Sequence, residues 1–339
     1  MRKVLIITQD PLVSLRQTIN GLGLSDDGRY KFYINEIDEK PDFVVVKGKG
    51  IDEDKIVGVP KERTMLVTCE PYGILDYPQG YCDQFGVVLA CQPELKVSKD
   101  GDTSLLRTPA VLPWFVGAVF LKGGGSKITK TREEVLAENP QKTKLISVIT
   151  SKKAFTKGHV DRLRFVKKLK AYYGDEVDVF GHGFNDFDDK WDVLAPYKYH
   201  IVIENSECDY YWTEKLSDCY LAGTYPLYHG CTNIGDYFSK GSYLPINIRD
   251  FKSVVATIEN AKKTNLYEKS LDLLQESKLK VLGSYNMFNL IAKGFDSVEN
   301  VDVEGETLLK PSSKFFSLHN LYLHTIEWSY YKLLGKYFV

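Results

Sequence analysis

The chain alternates short apolar runs with polar, turn-rich stretches. Lys3–Thr8, Asp42–Lys47, Thr64–Cys69 and Gly86–Cys91 are rich in Val, Ile, Leu and Thr and read as buried strands. The segments between them are long enough for helices, so this part reads as βαβ units building a parallel sheet. A second alternating half follows, with Leu145–Thr150, Val177–Gly181, Tyr199–Glu204, Tyr225–Tyr228 and Leu244–Ile248 as strands. Val160–Tyr173 reads as a helix in which Leu163, Phe165, Val166 and Leu169 oppose the basic Arg162, Lys167, Lys168 and Lys170. Trp212–Leu221, Phe251–Lys263 and Leu266–Lys280 are the other expected helices. Between the halves, the glycine run Gly123–Gly125, the charged stretch Thr131–Glu138 and Asn139-Pro140 read as the interdomain connection, with a short helix at Arg132–Ala137. The expected fold class is therefore α/β, with Rossmann-like domains over 1–140 and 141–310, a cleft between them, and a helical segment over 311–339.

Composition narrows the function. In 339 residues, 44 Lys and Arg stand against 45 Asp and Glu, a net charge of −1. A nucleic-acid binder needs a basic excess, so no nucleic-acid partner is expected. The first strand is followed by Gln9-Asp10-Pro11-Leu12-Val13-Ser14 rather than a G-x-G-x-x-G turn, which argues against a dinucleotide-dependent dehydrogenase. The six cysteines form no CxxC pair and the six histidines no obvious cluster. The N-terminal apolar run is short and broken by Asp10-Pro11, so a reduced, cytoplasmic protein is expected. Lys314–Tyr337 is aromatic and apolar but interrupted by Glu327, Ser329 and Lys332. It reads as a segment packing back across both domains, or as a peripheral contact to the inner face of a membrane.

The chemistry concentrates between Tyr199 and Gly230. A strand ends in Glu204-Asn205-Ser206, and after a loop a helix opens on Thr213-Glu214-Lys215. A carboxylate able to grip hydroxyls and an ammonium able to meet phosphate thus adjoin a helix N-terminus, where anions are favoured. The same residues also fit a capped βαβ unit with no ligand at all. Asp186-Phe187-Asp188 lies in a polar loop rather than at a strand end, and gives little support to a metal site.

This stretch resembles the donor-binding motif of the family-10 glycosyltransferases, the α1,3/4-fucosyltransferases. The matching elements are Glu204-Asn205-Ser206, Tyr211-Trp212-Thr213-Glu214-Lys215 and Pro226–Gly230. Upstream, Asp161–Phe165 and Val177-Asp178-Val179-Phe180-Gly181 look like the family's arginine helix and Val-Asp-Val-aromatic-Gly strand; downstream, Ile246–Phe251 matches as well. Tyr210 departs from the Asp or Gly common before the motif tyrosine, and Ile203 from the aromatic residue before the motif glutamate. The resemblance implies a GT-B fold and an inverting transfer of fucose from GDP-fucose to a glycan hydroxyl, with no essential metal or other cofactor. It implies Arg162 and Lys215 on the diphosphate, Tyr211, Glu214 and Asn205 as further donor contacts, and an oligosaccharide or surface glycan as acceptor partner. The general base implied from the N-terminal domain falls best on Glu70, at the end of a strand, with Asp76 and Asp83 as rivals. A GT-B enzyme using another nucleotide-sugar such as GDP-mannose, or a non-catalytic glycan- or nucleotide-binding module, is the alternative.

Overall fold

The computed structural model describes all residues except 12, 122–124, 153, 155, 297, 299–302 and 317–339. The strands of the first half are β1 (Arg2–Ile7), β2 (Tyr30–Ile34), β3 (Phe43–Lys47), β4 (Lys55–Val57), β5 (Thr64–Val67), β6 (Val87–Ala90) and β7 (Ser104–Arg107). All but β4 join one parallel sheet in the order β2-β1-β3-β5-β6-β7. Every residue of β3, β5 and β6 is buried, as expected where both faces of a parallel sheet are covered.

What covers those faces differs from the expected βαβ pattern. Among the described residues, the helical elements between β1 and β2 are the 3₁₀ turns Leu15–Gln17 and Ile19–Gly21, and between β5 and β6 the four-residue α1 (Gln79–Cys82). Asn20, Gly21, Gly23, Ser25, Asp26 and Asp27 favour turns over helix, which explains the loss of the first crossover helix. The hairpin β8 (Ala118–Phe120) and β9 (Ser126–Ile128) replaces part of the expected connection, and α2 (Arg132–Ala137) follows with a Thr131/Glu134 capping box.

The second half forms its own parallel sheet from β10 (Lys144–Ile149), β11 (Val177–Phe180), β12 (Tyr197–Ile203), β13 (Tyr225–His229) and β14 (Leu244–Pro245), in the order β11-β10-β12-β13-β14. Its helices are α3 (Lys157–Tyr173), α4 (Lys190–Leu194), α5 (Glu214–Leu221), α6 (Phe251–Lys263), α7 (Leu266–Lys269) and α8 (Leu271–Leu282). Leu163, Phe165, Val166 and Leu169 of α3 are buried as the apolar stripe requires. Arg162, expected on the basic face, is buried with them.

The chain then returns. Helix α9 (Met287–Phe295) packs Met287, Phe288, Ile291 and Phe295 against Val4, Phe32, Phe43, Val45 and Met65 of the first sheet. Phe295 sits 4.4 Å from the Phe43 ring, centroid to centroid. On the opposite face, β15 (Thr307–Leu309) pairs antiparallel with β4, and Leu309 joins Tyr77, Tyr81 and Phe85. The expected assignment of 141–310 to one domain is thus corrected by packing: 287–295 and 307–309 complete the N-terminal core. Of the expected helix over 311–339, the structure describes a 3₁₀ turn at Ser312–Phe315, whose Phe315 ring lies 5.9 Å from Tyr81. The rest lies outside the described residues. No helix among the described residues is long and apolar enough to cross a membrane.

The connection is gripped from both sides. Arg16 donates to the carbonyls of Trp114 and Val116 at 3.1 Å each, while Asp218 of α5 accepts from the amides of Phe115 and Val116 at 2.7 and 3.1 Å. Phe295→Ala removes the aromatic anchor of α9 and should cost about 3–5 kcal/mol of stability. Thermal unfolding measures it, and an unchanged midpoint would show that α9 does not hold the first sheet.

Candidate active site

Strand β12 ends in Glu204, which is 3% exposed. A buried carboxylate must be compensated, and Glu204 accepts the Thr213 amide at 2.8 Å and the Thr213 hydroxyl at 2.7 Å, with the Lys215 ammonium at 3.3 Å. These bonds tie the loop 205–212 shut and set where α5 starts. Gly230 stands against this carboxylate so closely that a Cβ there would lie 2.4 Å from Glu204 Cγ, which explains the glycine that closes the Pro226–Gly230 motif. The motif glycine Gly181 has a parallel cause, with φ of +115° and a hypothetical Cβ 1.8 Å from the Thr150 carbonyl oxygen.

The next residue, Asn205, accepts Arg162 Nη1 at 3.2 Å, and Arg162 Nη2 reaches the Ser151 carbonyl at 3.4 Å. Arg162 is 5% exposed, and among the described residues its Nε has no hydrogen-bond partner. Burial without a carboxylate partner pulls the guanidinium down to about 10. Lys215 is different. Burial pushes it down, but Glu214, Glu204 and Glu70 outweigh that and hold it above the ordinary lysine value. Burial pushes Glu214 up, yet Lys215 and Lys190 hold it at about 2. Lys190 lies 3.5 Å from Glu214 and 2.8 Å from Asp218.

The expected anion site at the α5 N-terminus is not open. Thr213 Oγ1 takes the Lys215 amide at 3.3 Å, its carbonyl takes that of Leu216 at 3.1 Å, and Glu214 accepts its own amide. The positive charge available to a ligand therefore comes from Arg162 and Lys215 side chains.

Both cations line a cavity of about 650 Å³ together with Ser151, Glu214, His200 and Asp218. The connection contributes Phe115 and Phe120 to its wall, and the loop after β11 contributes His182 and Asp186–Asp188. Of the residues expected around a donor, Arg162, Glu214 and Lys215 line the cavity; Asn205 instead orients Arg162. Tyr211 is 1% exposed and packs with Cys91 and Ala110 of the first domain. Glu70 follows β5, and its carbonyl is held by the Gln92 amide at 2.8 Å, which also bridges to Leu75 at 2.7 Å. Glu70 is near enough to the cations to be perturbed by them: burial raises it above the ordinary carboxylate value, Lys215 pulls it down, and Glu214 and Glu204 push it up. Its rivals hold local structure. Asp76 accepts the Gly73 amide at 2.7 Å, and Asp83 accepts the Ser98 amide at 2.7 Å. Lys190, Phe115 and Phe120 are parts of the site that no spacing in the sequence marks, since each reaches it from a separate element. Glu204 stood in the motif, and its place after a fully apolar strand was the available signal.

Two parallel-sheet domains, with the cationic cavity on the second, have the architecture of the GT-B class of glycosyltransferase folds. A crystal structure of an α1,3-fucosyltransferase with GDP has this fold, with a TM-score of 0.52 and 18% identity over 89% of this chain and 91% of that one. Residues 139–270 match the model of glycosyltransferase family 10 (fucosyltransferase), C-terminal part. Alpha-(1,3)-fucosyltransferase FucT of Helicobacter pylori is 30% identical over 122 residues, which are 35% of this chain and 25% of the relative. GDP-fucose protein O-fucosyltransferase 3 of Danio rerio is 37% identical over 136 residues, 36% of this chain and 28% of the relative. The chain thus spans about a quarter of the length of the curated relatives it matches.

Gly230→Ala should force Glu204 off Thr213 and Lys215, lowering stability by about 1–3 kcal/mol. Denaturant titration reads this directly. A midpoint equal to that of the unchanged chain would mean that Glu204 is not held against Gly230.

Proposed function

We propose that the protein is an inverting glycosyltransferase that transfers fucose from GDP-fucose to a hydroxyl of an oligosaccharide or surface-glycan acceptor. The observation that carries this reading is Arg162: a buried guanidinium with an orphaned Nε and no carboxylate partner, beside Lys215 in a cavity of nucleotide size. A buried cation is stable when an anion completes it, and a diphosphate matches a guanidinium in charge and geometry. The match of residues 139–270 to a fucosyltransferase family model supports fucose as the sugar, and the likeness to a GDP-fucose protein O-fucosyltransferase supports GDP as its carrier.

In this reading Arg162 and Lys215 hold the diphosphate, while Glu214, kept ionised by two lysines, accepts hydrogen bonds from ribose hydroxyls. Tyr211 and Asn205 frame the same site. The acceptor oxygen attacks C1 of the sugar, its proton passes to the Glu70 carboxylate, and the C1–O bond to the β-phosphate breaks. Negative charge develops on the departing GDP, where the two cations stabilise it without a metal ion. Attack opposite the leaving group requires the base to come from across the cleft, and Glu70 comes from the other domain. The interdomain contact of Tyr211 supports that approach.

Arg162→Ala and Lys215→Ala should each lower turnover by about 10²–10³-fold, with activity retained in EDTA. Unchanged turnover in both variants would overturn the donor assignment. Glu70→Gln should retain GDP-fucose affinity by calorimetry and lose about 10²–10⁴-fold in transfer. The base must be ionised to act, and burial raises its pKa. The rate should therefore fall as pH drops through a value above the ordinary glutamate range. A Glu70→Gln variant with the same acid limb would move the base elsewhere.

A further inference from the structure

We propose that Lys47 is a positioning residue for the base: its buried ammonium supplies the positive charge that Glu70 needs from its own domain once a diphosphate has engaged Arg162 and Lys215. This rests on the glycosyl-transfer reading of the cleft and names the residue that readies its acceptor side.

The arrangement is set by the first sheet. Strand β3 lies between β1 and β5 and ends on Lys47, which pairs in register with Val67, the last residue of β5. Asp10 stands three residues past the end of β1, and Glu70 three residues past the end of β5. One ammonium thus leaves the middle strand with a carboxylate on the turn to either side, and adjacent strands are about 4.8 Å apart. Asp10 makes the direct contact, accepting Lys47 Nζ at 2.8 Å. The Lys47 side chain is 2% exposed and that of Asp10 25%. The turns themselves are fixed. The Gly48 amide donates to the Val67 carbonyl at 3.0 Å, the Tyr77 hydroxyl donates to the Gly48 carbonyl at 3.2 Å, and Gln92 holds the Glu70 carbonyl.

A buried ion pair adds little net stability over an apolar pair of the same size, so folding alone does not account for a charge placed here. Burial pulls Lys47 down, yet its contacts with Cys69 and Asp10 outweigh that and hold the ammonium above the ordinary lysine value. Burial also raises Cys69 and keeps it a neutral thiol, so Asp10 is the partner that carries charge.

The charges that face Glu70 come from both domains: Lys215, Glu214 and Glu204 from the second, and Lys47 from the first. Burial, Glu214 and Glu204 favour the protonated carboxyl, while Lys215 and Lys47 favour the carboxylate. Lys215 is already shared with Glu204 and Glu214, at 3.3 and 3.5 Å. In the proposed reaction it also meets the diphosphate, whose negative charge adds to the pressure on Glu70 to take up a proton. Lys47 is not among the residues that line the donor cavity, so the donor does not neutralise it. A base must be ionised to act, and Lys47 is the charge that stays in place to keep it so.

Infrared titration of the full chain, carrying isotope-labelled glutamate and saturated with GDP, reads the charge of Glu70; the band missing in Glu70→Gln identifies it. Removing a nearby cation disfavours the carboxylate, so Lys47→Met should move the Glu70 titration up by about one pH unit. Asp10→Asn/Lys47→Met removes the pair together and leaves no unpaired charge. It should move the titration up by less, because Asp10 offsets part of the Lys47 charge. GDP affinity by calorimetry should be unchanged in both, which shows that each is folded. A Glu70 titration that stays in place in these variants overturns the inference, whatever happens to stability. GDP release from GDP-fucose, with water as the acceptor, should lose rate on the acid side in step with the titration. A moved titration with an unmoved rate profile would instead overturn Glu70 as the base.

Discussion

The buried Glu204 carboxylate is the constraint on which the site depends. Its two bonds from Thr213 and its contact with Lys215 offset the cost of burying a charge, and each bond also fixes a functional neighbour. Because Glu204 is satisfied by the residues that open α5, that helix can start only where it does. Because Asn205 follows directly, the same strand end that aims Lys215 also orients Arg162 from α3. Removing Glu204 would leave Lys215 tethered only by Glu214 and Thr213. Gly230 belongs to this arrangement for a steric reason, since a Cβ there would collide with the Glu204 side chain.

Two buried arginines show how structure and ligand binding can be told apart. Arg16 is 8% exposed and meets the carbonyls of Trp114, Val116 and Lys130 at 3.1–3.2 Å. Burial draws Arg16 down to about 10 while Asp218 and Asp189 oppose that, so its charge is answered within the fold. Arg162 is buried as deeply but answered by one amide oxygen and one long carbonyl contact, with no carboxylate contribution. The difference lies in what each lacks. Arg16 holds the connection between domains, whereas Arg162 lies in the cavity wall with its Nε unpartnered among the described residues.

The second half of the chain was legible because its strands are continuous apolar runs and its motifs are local. The strand runs ending at Thr150, Gly181 and Glu204 fall within one or two residues of β10, β11 and β12. The face of α3 was legible for its leucines but not for Arg162, whose burial depends on Asn205 and Ser151 from other elements. The first half was harder to read. Strand β2 alternates buried Tyr30 and Phe32 with Lys31 and Tyr33, and β7, Ser104-Leu105-Leu106-Arg107, is only half-buried and flanked by polar residues, so neither is marked by an apolar run. The role of α9 cannot be inferred from its amphipathic pattern, because the pattern does not say which sheet it covers. Tyr210 holds a φ of +66°, the left-handed region where Gly, Asn and Asp sit with least strain, so a tyrosine there is strained in a way that spacing hides.

The first sheet is completed by chain that has already passed through the second domain, and this bears on catalysis. Its faces are covered by α9 and β15, both downstream of the donor cavity, while the connection at 114–116 is held by Arg16 on one side and Asp218 on the other. The domains are thus joined by two chain crossings and by the packing of Tyr211 on Cys91 and Ala110. Cys91 follows β6, next to β5, and its neighbour Gln92 holds the turn that bears Glu70. The carboxylate is therefore tied to the cations through a short path, Glu70 to Gln92 and Cys91, then Tyr211, then the Thr213–Lys215 turn. A base must keep hydrogen-bond range to an acceptor while the leaving group is held elsewhere, and small displacements are costly. In the proposed reaction, a path of buried, hydrogen-bonded residues meets that demand better than a hinge would, with Tyr211 positioned between Glu70 and the cations.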